Sequence, residues 1–213
     1  MKSAKLIIDN KTIDLPILEG SENESGINIT KLRNTTNHIT FDPSYANTGS
    51  CASDITYIDG EKGILRYRGY PIEQLAENSS HLEVSYLLLH GELPTEAQLE
   101  AFENSINQHM QIDRQFAKLF DGFTESSHPM AMVCAAIAGL ASLYHDDLDI
   151  SDPEYRMKAA IQLIAKIPTI AAMAYRKSIG KEFIDPDPEL TYAENFLHMC
   201  FGKSGETASV SKT

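Results

Sequence analysis

Residues 50–72 read SCASDITYIDGEKGILRYRGYPI, and this stretch separates two differently patterned parts of the chain. Residues 54–58 favour a strand, Asp59-Gly60 is typical of a tight turn, and residues 63–68 favour a returning strand. After Gly69 the spacing of apolar residues becomes helical. The stretch therefore predicts a β-hairpin that leads into a mainly α chain.

Upstream of this hairpin, the sequence predicts a second one. Residues 5–8 and 12–15 are short β-prone runs on either side of a turn sequence. Residues 19–37 are rich in Ser, Asn, Gly and Thr, so we expect them to be mostly loop. We interpret residues 1–70 as a β-rich N-terminal region with a connector, and we expect no strand beyond Gly69.

Downstream, side chains that accept hydrogen bonds from the first amides of a helix mark several helix starts. These starts are Ser80 with Glu83, Thr95 with Gln98, Asp152 with Pro153, and Thr191 with Glu194. Pro129 suits the first turn of an apolar helix over residues 130–144. Pro168 is expected to start or kink a segment over 169–178, after a helix that runs to about Lys166.

We therefore interpret residues 71–201 as one helical portion. Residues 202–213, GKSGETASVSKT, form a polar tail that follows directly on a strongly apolar predicted helix. We expect this tail to be disordered or related to truncation of a longer protein.

Composition excludes several classes of protein. The chain has 213 residues and a formal net charge of −12, and it shows no basic patch of the kind that nucleic-acid binders carry. Its three cysteines lack the spacing of a disulfide framework or a zinc site, which favours a reducing compartment. The apolar run over 130–144 is shorter than the about 20 residues of a membrane span. We expect a cytoplasmic protein with no metal, membrane or nucleic-acid partner.

No residue spacing in the sequence supplies a catalytic mechanism. The histidines are scattered, and isolated helical histidines are usually hydrogen-bonded structural residues. Lys166 is unusual because it interrupts the apolar run 159–174. Its side chain could extend along the helix to solvent, or it could hold an anion at a crevice.

Several stretches of the chain, taken in order, resemble the citrate synthase family. They are residues 50–72, 82–94 (LEVSYLLLHGELP), 127–133 (SHPMAMV), 166–173 (KIPTIAAM), 178–180 and 194–199 (ENFLHM). Together they cover nearly all of residues 39–201. The β-containing extension at the N-terminus resembles the Gram-negative, hexameric type. The resemblance implies the first part of the family's large helical domain, preceded by a small β-hairpin-containing region.

The resemblance also implies an activity, the condensation of acetyl-CoA with oxaloacetate and water to give citrate and CoA in the tricarboxylic acid cycle. The family's catalytic Asp, its two His and its substrate-binding arginines lie downstream of the matched region. We therefore assign no catalytic residue to this N-terminal half and expect the isolated chain to be inactive. The alternative is a truncated, non-catalytic paralogue that acts through its subunit-contact helices.

The resemblance further implies a homo-oligomer, because helices similar to residues 129–144 and 168–178 pack against a second subunit in the family. We expect the isolated chain to self-associate or to fold only partly. We also expect Ala136→Asp or Ala171→Asp to weaken that association.

Hexameric members are often inhibited by NADH at a site in this half of the chain. His109, Tyr144 and Lys166 match positions of that site. Four other positions depart from it: Gln108 and Gln162 replace Arg, Met110 replaces Thr, and Gly205 aligns with a Cys. Because a guanidinium group binds phosphate through paired donors, its loss at two positions weakens a phosphate site. We expect no bound cofactor and at most a weak effect of NADH.

Overall fold

The computed structural model of the protein describes residues 2–144, 149 and 151–203. Its internal contacts divide the chain into two compact units, Met1–Asp54 and Ile55–Thr213. The division falls after Asp54, the first residue of the hairpin that the sequence predicts over residues 54–68. The rest of that hairpin therefore belongs to the second unit.

The first unit is built on an antiparallel sheet of three strands. Strands β1 (Ser3–Ile8), β2 (Lys11–Glu19) and β3 (Ser25–Ile27) lie in the order β1-β2-β3. Asp9 and Asn10 both have positive φ, which a two-residue hairpin turn between β1 and β2 requires. The predicted first hairpin is confirmed.

The expectation of mostly loop over residues 19–37 is met for only about half of the stretch. This stretch contains β3 and a short helix, α1 (Leu32–Thr36). Asn37 ends α1 in the left-handed conformation, and its amide donates to the carbonyl of Arg33. Asn tolerates this conformation better than most residues, so the Asn-rich composition that suggests a loop also supplies a helix end.

The second unit begins with a small antiparallel sheet formed by β4 (Thr56–Asp59), β5 (Ile64–Tyr67) and β6 (Tyr70–Pro71). The predicted second hairpin is confirmed. The expectation that strands end before Gly69 is wrong, because Arg68 and Gly69 form a second two-residue turn with positive φ and Tyr70 pairs back with Tyr67. Such a turn brings the chain back for only two more paired residues.

The rest of the second unit is helical, so the protein is mainly α, as predicted. The helices are α2 (Ile72–Asn78), α3 (His81–His90), α4 (Glu96–His109), α5 (Arg114–Ala117), α6 (Pro129–Leu140), α7 (Pro153–Ser178) and α8 (Tyr192–Phe201), with a 3-10 turn at Lys118–Gly122. Capping boxes start α3, α4 and α8, and the Asp152 side chain accepts from the Glu154 amide at the start of α7. All four predicted helix starts are confirmed.

Two predicted helix boundaries need correction. Helix α6 ends at Leu140 rather than Tyr144, because the amides of Ala141 and Ser142 turn back to the carbonyls of Ala138 and Gly139 in a tightened last turn. Helix α7 is one helix of 26 residues with Pro168 in its interior. Pro168 therefore does not start a new helix.

Helix α7 lies at the centre of the helical unit, between two apolar clusters. The first cluster joins α3, α4 and α8 to α7 through buried residues that include Leu82, Phe102, Ala172 and Met199. The second joins α6 and the segment around Phe120 to α7 through Met132, Ala136, Ile170 and Met173. By length and composition alone α7 could cross a membrane. Its packing on two sides assigns it to the core instead.

Candidate functional site

Pro168 interrupts the hydrogen-bond ladder of α7. Proline has no N–H, so the carbonyl of Ile164, four residues earlier, lacks its usual helical donor. The side chain of Tyr192, from the first residue of α8, fills this gap by donating from Oη to the Ile164 oxygen at 2.9 Å. Burial raises the pKa of Tyr192 to about 12. The tyrosine therefore stays protonated and remains a donor at any physiological pH.

The residues beside Pro168 bind the end of α4. Lys166 is only 7% exposed, and its Nζ donates to the carbonyl oxygens of His109 at 2.7 Å and Gln111 at 3.0 Å. Thr169 Oγ1 donates to the intervening carbonyl of Met110 at 2.9 Å. The last carbonyls of a helix have no partner within that helix. Lys166 and Thr169 supply partners to three consecutive carbonyls, so they act as a clamp between α4 and α7.

Lys166 thus has a structural role that neither sequence interpretation named. It does not extend to solvent, and two of its three N–H groups are bound to backbone oxygens. Burial lowers the pKa of its ammonium group, whereas a positive charge near a helix C-terminus is favourable. An anion at this site would have to compete with the carbonyls that already bind the ammonium.

The predicted partners of Lys166 are brought together only in part. His109 is the last residue of α4 and meets Lys166 through its main-chain oxygen, while its ring Nδ1 lies 2.7 Å from the carbonyl oxygen of Ser105. Tyr144 is half-buried and packs against the second apolar cluster. Burial raises the pKa of Tyr144, and the charge of Lys158 opposes that rise. The described contacts join Tyr144 to neither His109 nor Lys166.

The positions that depart from the NADH-site pattern have varied surroundings. Met110 is buried and contributes its carbonyl to the clamp. Gln108 is exposed and Gln162 is half-buried. Gly205 lies outside the residues that the structure describes. The amides of Gln108 and Gln162 carry no charge to attract a phosphate.

Arg176 is a second buried cation of α7, which the sequence does not predict. It is 5% exposed; its Nη1 donates to the carbonyls of Cys200 and Gly202, both at 3.2 Å, and its Nε donates to the carbonyl of Glu182. These bonds tie the end of α8 to α7. Its sequence context gives little signal, because Arg176 lies beside Lys177 at the polar end of α7, whereas Lys166 interrupts the apolar run 159–174.

The described residues present no acid–base pair of the kind that condensation chemistry uses. The ring nitrogens of His38, His109 and His128 meet main-chain atoms. The Nδ1 atom of His198 is buried near the backbone at Gly202 and has no hydrogen-bond partner among the described residues. Over residues 2–144, 149 and 151–203, His, Cys, Asp and Glu form no group of three that could hold a metal ion.

Two helices carry apolar residues on their solvent side as well as on their core side. On α6, Met130 is 60% exposed, and the exposed positions that follow along the same face are Ala131, Cys134, Ala135 and Ala138. On α8, Phe196 and Leu197 are partly exposed, and Phe201 is exposed although its ring edge meets Tyr175 of α7. A helix that is apolar all round is usually buried on all sides. These faces are therefore suited to contact with another polypeptide segment.

One residue expected on the contact surface lies elsewhere. Ala136 is fully buried between α6 and α7, so Ala136→Asp would disrupt the core itself, and its effect on association stays a prediction. The run of apolar residues along α6 hides which face is internal, because both faces are apolar. The neighbouring Ala135 is exposed and lies on the solvent face.

Comparison with known proteins assigns the family. The model of the family described as "Citrate synthase, C-terminal domain" matches residues 44–212. This chain belongs to the citrate synthase family. The match includes β4 to β6 and helices α2 to α8, so it contains the clamp, the Pro168 gap and the apolar faces of α6 and α8.

Solved citrate synthases share the fold. The enzyme from Pyrobaculum aerophilum matches with a TM-score of 0.68 and 32% identity, over 90% of this chain and 46% of its own. The enzyme from Thermotoga maritima matches with a TM-score of 0.65 and 32% identity, over 77% of this chain and 42% of its own. The enzyme from Thermoplasma acidophilum was solved with carboxymethyl coenzyme A and oxaloacetate. It matches with a TM-score of 0.67 and 29% identity, over 74% of this chain and 41% of its own. The chain thus spans less than half the length of these citrate synthases.

Proposed function

We propose that this chain contributes to an enzyme that condenses acetyl-CoA with oxaloacetate and water, giving citrate and CoA. The observation that carries this proposal is the family match over residues 44–212. The related enzyme from Thermoplasma acidophilum supports the substrate class, because it was solved with oxaloacetate and a coenzyme A derivative. The reaction would belong to the tricarboxylic acid cycle, and we propose a cytoplasmic location.

We propose further that the chain corresponds to the N-terminal half of such an enzyme and has no activity alone. In the family, an Asp removes a proton from the acetyl methyl group and two His residues handle the enol and the oxaloacetate carbonyl. The resemblance puts these residues beyond the matched stretches. The proposal is supported by His38, His109 and His128, whose Nδ1 atoms meet backbone atoms rather than carboxylates.

The test is release of free thiol from acetyl-CoA, measured with and without oxaloacetate. The purified chain is expected to give no oxaloacetate-dependent release. The full-length enzyme from Thermotoga maritima serves as a positive control for the assay. Oxaloacetate-dependent release well above background from this chain would show that it holds a complete catalytic set.

A second candidate function is a non-catalytic subunit that acts through its contact helices. The exposed apolar face of α6 favours it, because small side chains allow a second helix to approach closely.

In either case we propose a homo-oligomer of the Gram-negative, hexameric type. If α6 pairs with its copy, Cys134, which is exposed on that face, should form a cross-link between chains with a short bifunctional maleimide in a Cys51→Ser background. Sedimentation as a monomer without cross-linking would contradict the oligomer.

We propose that NADH binds weakly at most. The clamp already engages the Lys166 ammonium, and two neutral glutamines stand where inhibited relatives carry arginines. Equilibrium dialysis is expected to show no saturable NADH binding tighter than about 1 mM, which corresponds to only about −4 kcal/mol. Micromolar binding that Lys166→Met abolishes would overturn this proposal.

A further inference from the structure

The gap that Pro168 leaves in the hydrogen-bond ladder of α7 is filled from α8. We propose that Ile164, Pro168 and Tyr192 form a hinge in α7 whose angle is set by α8, with Tyr192 as its positioning residue. Ile164 lies before the proline in the chain, and its carbonyl is the one that the missing N–H would have bonded. The donor that replaces it comes from the Tyr192 side chain, 28 residues further along the sequence.

The other end of α8 is attached to α7 beyond the break. Arg176 binds the carbonyls of Cys200 and Gly202, and the rings of Tyr175 and Phe201 meet edge-on with centroids 5.4 Å apart. Helix α8 therefore runs alongside the second half of α7, in the same direction. It contacts α7 on both sides of Pro168, so a change in the angle of α7 must strain or move α8.

The hinge is also connected to α4. Lys166 and Thr169 stand on either side of Pro168, and together they bind three consecutive carbonyls at the end of α4. A change at Pro168 would therefore reach the carbonyls of His109 to Gln111, although Tyr192 has no described bond to them. If Tyr192 acted only on the Ile164 carbonyl, its removal would not change hydrogen exchange near residues 109–111.

The test is a double-mutant cycle in the chain as it exists. Tyr192→Phe removes the hydroxyl but keeps the ring that stacks on His81. Pro168→Ala restores the N–H that can bond the Ile164 carbonyl, which makes the tyrosine hydroxyl redundant. We expect Tyr192→Phe to lower Tm by about 4 °C in the wild-type background, because it leaves a buried carbonyl without a donor. In the Pro168→Ala background, the same change should lower Tm by less than half as much.

Hydrogen exchange supplies the second readout. In Tyr192→Phe, the amides of residues 165–172 and of residues 110–113 should both exchange faster than in the wild type. Tyr155→Phe, at an exposed tyrosine in the first turn of α7, is the control and should change neither set. Equal loss of Tm in both backgrounds, no loss in the wild type, or unchanged exchange at 110–113 would overturn the hinge. If Tyr192→Phe does not fold, the double variant should still fold, and its failure would also overturn the proposal.

Discussion

The buried face of α7 and the exposed face of α6 both depart from the usual pattern, in which charged side chains are exposed and apolar side chains are buried. Lys166 and Arg176 of α7 are charged and almost fully buried, whereas Met130 of α6 is apolar and mostly exposed. The buried cations bind backbone carbonyls at or near the ends of neighbouring helices, so each charge is hydrogen-bonded. The apolar residues on the exposed face of α6 have no such compensation, because they remain in contact with solvent. The comparison shows that the two buried cations of α7 are hydrogen-bonded, while the α6 face leaves apolar side chains exposed, which is the property expected of the contact surface proposed above.

The largest effect should come from placing a charge on each side of α6 in turn. Ala136→Asp puts a carboxylate in the apolar cluster between α6 and α7, where Ala136 is 0% exposed. An unpaired buried charge costs several kcal/mol, so we expect a loss of about 4 kcal/mol or more in the free energy of unfolding. Ala135→Asp, one residue earlier on the exposed face, should leave the free energy of unfolding almost unchanged.

The same pair of variants separates folding from association. Ala135→Asp should reduce self-association, seen as a lower weight-average mass in sedimentation equilibrium, whereas its urea-unfolding midpoint stays near that of the wild type at matched monomer concentration. If both variants lose stability equally, or if Ala135→Asp associates as the wild type does, the distinction between the two faces of α6 is wrong.

The next effect concerns Arg176, the buried cation that holds the end of α8. Arg176→Met keeps much of the apolar volume but leaves the carbonyls of Glu182, Cys200 and Gly202 without this donor. Hydrogen bonds from charged groups contribute about 1.5–3 kcal/mol, so a loss of about 3 kcal/mol is expected in urea unfolding. Lys181→Met, at an exposed cation close by, should change the midpoint little. A loss in Arg176→Met no larger than in that control would show that the arginine is not needed.

Lys166 should have a smaller effect, because Thr169 continues to bind the end of α4 after the lysine is removed. We expect Lys166→Met to cost about 2 kcal/mol in the free energy of unfolding, and Lys166→Arg to restore only part of it, since a guanidinium is bulkier and flatter than an ammonium. Urea unfolding measures both. If Lys166→Met is neutral while anion binding is lost, the residue serves a ligand rather than α4.

Local signals in the sequence were sufficient where the partners are close along the chain. Each capping box joins two residues three positions apart, and the turns between β1 and β2 and between β4 and β5 join strands that are adjacent in sequence, so these elements could be predicted. The position of Pro168 inside a continuous helix could not be predicted, because proline usually ends a helix. The donor that replaces its missing N–H is Tyr192, which lies on another helix. The role of Lys166 was hidden for the same reason, since its acceptors lie 57 and 55 residues away.

The faces of α6 raise a different limit. Helical periodicity identifies the buried side of a helix only when the other side is polar. Helix α6 is apolar on both sides, so the sequence could not separate Ala136 from Ala135. Resemblance to a family predicted contact with a second subunit for the helix as a whole, but only the packing of Met132, Ala136 and Leu140 on α7 assigns the internal face.

The smallest effect is a change in the pH dependence of unfolding. It tests whether the Tyr192 hydroxyl, which donates to the Ile164 carbonyl, is buried in the folded protein. Burial raises the pKa of Tyr192 from 10.0 to about 12. The folded protein therefore keeps this proton where the unfolded chain loses it. The resulting stabilisation is fully present below pH 10 and is lost as the pH rises toward 12.

The urea-unfolding midpoint of Tyr192→Phe, lower than that of the wild type at pH 9, should approach the wild-type value as the pH rises through 10 to 11.5. The other ionisable groups are present in both proteins and cancel in the difference. Two curves that stay parallel from pH 9 to 11.5 would mean that the Tyr192 hydroxyl is open to solvent, and the gap at Pro168 would then need another donor.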